Sequence, residues 1–190
     1  MQRELVKIED TTANPAPLGL IGFGMTTVLL NLHNAGLFEL NTMIMAMGMT
    51  IGGLAQVIVG MMEWKKGNTF GTTAFSAYGY FWISLVAIWV MPKLGIGTAP
   101  DALSMGFYLT LWGLFSLAMF ICTLRMNKIT QFVFGSLVIL FALLAIGDFT
   151  GIHIIKTIAG IIGIICGLSA MYASVAPVIN DVYGKEICKV

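Results

Sequence analysis

Asn14-Pro15-Ala16-Pro17-Leu18-Gly19-Leu20 marks the point where a short charged tail stops and the first long apolar run begins. Asparagine is a good N-cap, and proline is tolerated in the first turn of a helix because the N–H it lacks would have no intrahelical partner there. The stretch therefore predicts a helix start, and the apolar run behind it predicts that the helix crosses a membrane. Gly19, Gly22 and Gly24 leave one face without side chains, so that another helix or a small solute can approach the backbone. A helix N-terminus also carries partial positive charge, which suits a small anion. On physics alone, a rigid cap on a packed helix is the simpler reading.

Working outward, six apolar runs reach the roughly 20 residues that a spanning helix needs: 17–33, 42–62, 70–91, 102–124, 129–147 and 157–176. The chain is 58% hydrophobic and 10% charged, against about 25% charged in soluble domains. The fold class is thus an all-α membrane protein of six transmembrane helices. Its organisation is a tail at 1–13, one six-helix unit at 14–176 and a second tail at 177–190, with Pro177 closing the sixth run. The first 13 residues mix Arg3, Glu4, Lys7, Glu9 and Asp10 without an apolar core, unlike a cleavable signal peptide. Short loops leave no room for a catalytic domain outside the membrane.

Charge gives the orientation. Arg3, Lys7, Lys65, Lys66, Arg125, Lys128, Lys185 and Lys189 fall on one side, and Lys93 and Lys156 on the other. The positive-inside rule then puts both termini in the cytoplasm. Trp64, Trp82 and Trp89 lie near or towards span ends, where indole rings favour the interface. A net charge of +1 offers no basic stripe for nucleic acid.

Small and polar residues fall on helical stripes. Gly48, Gly52, Gln56 and Gly60 recur every four residues, and Gly163 and Gly167 repeat the device in the sixth run, beside Ser169 and Ala170. Such glycines read as close helix packing. Gln56 is different, because an amide in hydrocarbon is costly unless satisfied; it either bonds another helix or faces a wet pathway. Gly19, Phe23, Thr27 and Asn31 share a face of the first run with Thr26 beside it. Thr72, Ser76, Tyr80 and Ser84 form a ladder on the third, while Tyr78 points elsewhere. Polar stripes suit a small-solute pathway, and they equally arise when Ser and Thr bond their own backbone.

Several chemistries are disfavoured. Met43, Met45, Met47 and Met49 advance by about 200° per step on a helix, so their sulfurs cannot converge on one ion. His33 and His153 lie at span ends without a second ligand at metal spacing. Cys122, Cys166 and Cys188 are too dispersed for a disulfide framework or a zinc site. No Asp, Glu, Lys or Arg lies centrally in a span, the nearest being Glu39, Glu63, Asp148 and Lys156. Neither a cofactor nor an enzyme is expected.

Asn14 to Leu20 resembles the signature of the acetate uptake transporter family, also called the succinate/acetate permeases. Gly67-Asn68-Thr69-Phe70-Gly71 resembles its second recurrent segment. The likeness runs from about Asn14 to about Ala176. It implies a homohexamer in the inner membrane, each protomer passing acetate, with succinate among the larger candidates; the want of a central Lys or Arg to offset a buried carboxylate adds that the acid crosses neutral or with a proton. It also implies a constriction at Phe23, Tyr78 and Leu137 with Ala170 nearby, and a vestibule lined by Asn14. Gly19, Thr26, Thr27, Asn31 and Gln56 complete the expected lining. Two alternatives stay open: a channel for neutral amides such as urea, and a membrane protein without flux whose glycine stripes serve assembly alone.

Overall fold

The computed structural model describes residues 12–189, and all regular structure among them is helical. Most of the N-terminal tail, including Arg3 and Lys7 of the charge count, lies outside the described residues. Six helices are long and apolar enough to cross a membrane: α1 (Ala16–Asn34), α2 (Thr42–Lys65), α3 (Thr69–Leu94), α4 (Ala102–Thr123), α5 (Lys128–Thr150) and α6 (His153–Tyr183). Short connections make them run alternately up and down. Both ends of the described chain therefore lie on one face, together with the α2–α3 and α4–α5 loops.

The starts follow the local chemistry. Asn41, Asn68, Asp101 and Asn127 each accept a hydrogen bond from a backbone amide in the first turn of the helix that follows. At Asp101, outside the spans, the bonds to Ser104 hold the carboxyl below its ordinary range. The α1 start sits one residue later than expected, with Pro15 as the flanking residue, yet Asn14 Oδ1 still accepts from the Ala16 amide at 3.1 Å.

Three elements depart from the sequence reading. Pro177 does not close the last helix: α6 continues through it to Tyr183, and the price is that no proline N–H reaches the Ala173 carbonyl. In α2 the stretch Gly48–Ala55 is a π-helix, so the four-residue stripe is not a simple α-helical face. Trp82 is not interfacial but 2% exposed, packed over Gly48 and Gly52 in the centre.

The glycines bring backbones together, as packing requires. A Cβ on Gly22 would overlap the Ile51 carbonyl of α2, and one on Gly79 would lie 2.8 Å from the Gly53 carbonyl. Gly24 and Gly167 face each other across α1 and α6, each Cβ position 2.7 Å from the other's carbonyl oxygen. Between α3 and α4 the gap is filled instead by rings: Tyr78, Phe81, Tyr108, Trp112 and Phe115. Phe23, Phe81, Phe134, Leu137, Phe141, Cys166 and Ala170 belong to the same buried cluster.

Candidate functional site

Three helices, α1, α3 and α5, begin on the face that carries the chain ends, and each is opened by an asparagine. Asn14 Oδ1 accepts from Ala16 N, Asn68 Oδ1 from Gly71 N at 3.0 Å, and Asn127 Oδ1 from Thr130 N at 2.9 Å. All three border one cavity of about 230 Å³. At about 30 Å³ per water in the liquid, that is room for a small solute with part of its hydration.

Capping uses the amide oxygen and turns the NH₂ group outward. Asn14 and Asn127 Nδ2 have no hydrogen-bond partner among the described residues, whereas Asn68 Nδ2 donates to Glu63 Oε2 at 2.7 Å. Glu63, at the end of α2, is 2% exposed and not in the aqueous mouth. Among the described residues, no Asp, Glu, Lys or Arg borders the cavity. Free amide donors and three helix N-termini together make its mouth favourable to an anion without a formal positive charge.

Depth follows from counting along the helices. Phe23 is nine residues beyond Asn14, Tyr78 ten beyond Asn68 and Leu137 ten beyond Asn127. At 1.5 Å per residue all three lie about 15 Å below the caps, half of a bilayer core. Each borders the same cavity. Gln56 joins them from α2, its Nε2 donating back to the Gly52 carbonyl at 2.6 Å within the π-helical stretch. The amide thus satisfies itself on its own helix and still borders the cavity.

The deep end is aromatic. Phe23 and Tyr78 ring centroids lie 5.8 Å apart, Tyr78 and Phe134 6.1 Å, and Tyr78 and Phe115 5.5 Å. Tyr78 Oη lies 2.8 Å from Ser116 Oγ of α4. On α6, Ser174 Oγ donates to the Pro17 carbonyl at 2.6 Å and fixes the Asn14 stretch against the last helix.

Of the residues singled out from sequence, Asn14, Phe23, Gln56, Tyr78 and Leu137 come together around this cavity, along with Asn68, Phe70 and Gly71 of the second motif. Gly19, Thr26, Thr27, Asn31 and Ala170 do not border it. The Phe75 ring covers Gly19, and Thr26 donates to the Gly22 carbonyl at 2.7 Å. Asn31 lies flush on Gly163 and donates to the Thr27 carbonyl at 2.9 Å. The α3 ladder serves packing: Ser76 meets Gly60, Ser84 bonds Tyr108, and Tyr80 is 58% exposed. His33 Nδ1 bonds the Phe38 carbonyl, and no cluster of metal-ligating side chains occurs among the described residues.

Asn127 and Ser116 were not singled out. Asn127 carries the ordinary signal of an asparagine just before a helical run, and its spacing to Leu137 repeats that of Asn68 to Tyr78. Ser116 gives no signal of its own within an apolar span.

Comparison with known proteins places the chain. A model of the GPR1/FUN34/yaaH family matches residues 3–183. The succinate-acetate/proton symporter SatP of Escherichia coli (strain K12) is 57% identical over 175 residues, 92% of this chain and 93% of that one. Acetate permease A of Emericella nidulans is 35% identical over 89% of this chain and 62% of its own length. The solved structure of the bacterial acetate channel SatP superposes with a TM-score of 0.94 at 56% identity, covering 95% of this chain and 99% of that chain.

Proposed function

The chain belongs to the GPR1/FUN34/yaaH family, and on that premise we propose that it carries acetate, and succinate as a larger substrate, across a membrane together with protons. Relatives that bear the names succinate-acetate/proton symporter, acetate permease and acetate channel support this reading. The single observation that carries it is the cavity: residues of both sequence motifs line it together with Phe23, Tyr78 and Leu137, and no charged side chain among the described residues does.

In this reading the vestibule gathers a small carboxylate at the free amides of Asn14 and Asn127. The ring of Phe23, Tyr78 and Leu137 then sets the size of what passes, and Gln56 supplies a polar edge at that depth. Thr26, Thr27, Asn31 and Ala170 shape the route beyond the ring by packing α1 and α6 rather than by touching the substrate. The protein is a multi-pass membrane protein of the inner (plasma) membrane, with both termini cytoplasmic and the vestibule on that side. It assembles as a homohexamer embedded in lipid, each protomer with its own pathway and none with a cofactor. Residues 1–13 and those beyond the end of α6 at Tyr183 act as tails, and the helices between them form the transport domain.

Uptake of labelled acetate into proteoliposomes tests the reading, with empty liposomes as the control. Saturable uptake that cold acetate and succinate compete down is the expected result. Uptake no greater than in empty liposomes would overturn it. Competition by urea but not by succinate would favour a neutral-amide channel, which the uncharged lining also suits.

A further inference from the structure

We propose that Glu63 is a specificity-determining residue of the vestibule: a resident negative charge behind its wall that favours monocarboxylates over dicarboxylates. The inference rests on the small-acid pathway reading. It adds a discrimination by charge at the mouth, separate from the discrimination by size at Phe23, Tyr78 and Leu137.

Glu63 is 2% exposed and is the one carboxylate among the buried described residues. Burying a charge is costly unless it is paired and hydrogen-bonded, yet no Lys or Arg among the described residues forms an ion pair with it. Its partners are of another kind. Asn68 Nδ2 donates to Oε2 at 2.7 Å, and the same oxygen lies against Gly71 in the first turn of α3, where unsatisfied amides favour negative charge.

The second recurrent segment is built around this contact. Gly67, at φ 73°, turns the chain after α2, and the Asn68 amide then donates to the Glu63 carbonyl at 3.0 Å. The Asn68 side chain is held by both its polar atoms, since Oδ1 accepts from Gly71 N at 3.0 Å. A Cβ on Gly71 would lie 2.7 Å from Asn68 Nδ2 and 2.9 Å from Glu63 Oε2, so glycine is what admits the carboxylate at that turn. Gly67, Asn68 and Gly71 together seat one acidic side chain at a helix start, which capping of α3 alone does not require.

The consequence for substrate follows from position. Asn68 and Gly71 line the cavity, and Glu63 stands directly behind them. A solute resting on that wall lies within the roughly 10 Å over which charges interact at about 0.1 M salt. Of the three helix starts at the mouth, those of α1 and α5 present free side-chain amides, whereas that of α3 already faces an anion of the chain itself. Glu63 therefore opposes every anion in the vestibule, and it opposes a dianion twice as strongly as a monoanion.

Glu63→Gln keeps the size and an acceptor for Asn68 while removing the charge. In proteoliposomes taking up labelled acetate at neutral pH, the concentration of unlabelled acetate that halves uptake should fall about threefold and that of succinate about tenfold, because doubling the charge of the ligand squares the fold-change. Butyrate, which has the carbon chain length of succinate and a single charge, should follow acetate.

An equal fall for acetate and succinate, or no fall, would overturn the proposal and leave Glu63 as a structural partner of Asn68. Butyrate following succinate would overturn it too, by assigning the difference to size. Where Glu63→Gln does not reach the membrane, Glu63→Met also removes the charge at similar length; it must show the same unequal fall, and equal or absent changes there count against the proposal equally. Wild-type protein without uptake above empty liposomes would instead refute the pathway reading, and this inference with it.

Discussion

Leu137 is the aliphatic member of the proposed ring, whose other members, Phe23 and Tyr78, are flat and held by neighbouring rings. It is buried, and it lines the cavity together with the other two. Trimming it to alanine removes a branched side chain at a place where α5 is held between α4 and α6, so most of the vacated volume stays open. Leu137→Ala should therefore admit bulkier acids, with lactate competing against acetate about tenfold better than in the wild type. Unchanged discrimination in a well-folded variant would put the narrowest point elsewhere. How far such roles are legible in sequence depends on the residue. The asparagine caps can be read from chemistry alone, since an amide before an apolar run has one obvious use. That Tyr78 and Leu137 line the cavity was suggested only by resemblance, because a tyrosine or leucine in a span looks like core. Ser116 was not legible at all: whether a serine bonds its own backbone or a neighbouring helix depends on packing that periodicity does not encode.

At the scale of helices, the stripes of small residues gave the right kind of contact and part of the register. Gly163 and Gly167 do pack α6 against α1, and Gly60 receives Ser76. The π-helical stretch of α2 was hidden, because a one-residue widening leaves a pattern of glycines every four residues unchanged on the page. Pro177 misled for a related reason. A proline is tolerated inside a membrane helix when its neighbours satisfy or shield the freed carbonyl, and here Ala173 and Pro177 both border the cavity. The glycine contacts make a graded prediction. A Cβ on Gly167 would lie 2.7 Å from the Gly24 carbonyl oxygen and 2.8 Å from the Val28 amide, both backbone atoms that cannot rotate away, while one on Gly113 would meet a single carbon of Phe141 at 3.3 Å. Gly167→Ala should thus cost about 1–3 kcal/mol by overpacking. In detergent it should lower the thermal midpoint by several degrees, with Gly113→Ala close to wild type. Equal midpoints for the two variants would mean that α1 and α6 separate more easily than their backbone contact implies.

For the molecule as a whole, the distribution of charge argues first about orientation and then about what crosses. Lys65, Lys66, Arg125, Lys128, Lys185 and Lys189 share the face of the vestibule, against Lys93 and Lys156 opposite, so cysteine-reactive label added outside the cell should reach a cysteine placed beside Lys93 and not one beside Lys66. The reverse pattern would turn the vestibule outward. Charge is also what separates mouth from constriction. Helix N-termini favour an anion only within about the first turn, and Phe23, Tyr78 and Leu137 lie nine or ten residues further in. A bare carboxylate at that depth meets a desolvation cost of several kcal/mol, with no Lys or Arg among the described residues in the cavity lining to offset it. Hydrogen bonds from Tyr78 or Gln56 return about 1.5–3 kcal/mol each at best. In the proposed pathway the mouth collects the anion and the ring passes the acid, which requires that a proton accompany each acetate. Net acetate movement is expected to be electroneutral, to rise as external pH falls, and to respond little to an imposed membrane potential. Neutral acid leaking through lipid has the same pH trend, so the quantity to measure is the uptake that remains after empty liposomes are subtracted. An acetate current in planar bilayers that reverses where the acetate gradient alone demands would mean that the anion passes uncoupled, and that helix-end dipoles act far deeper than a single turn.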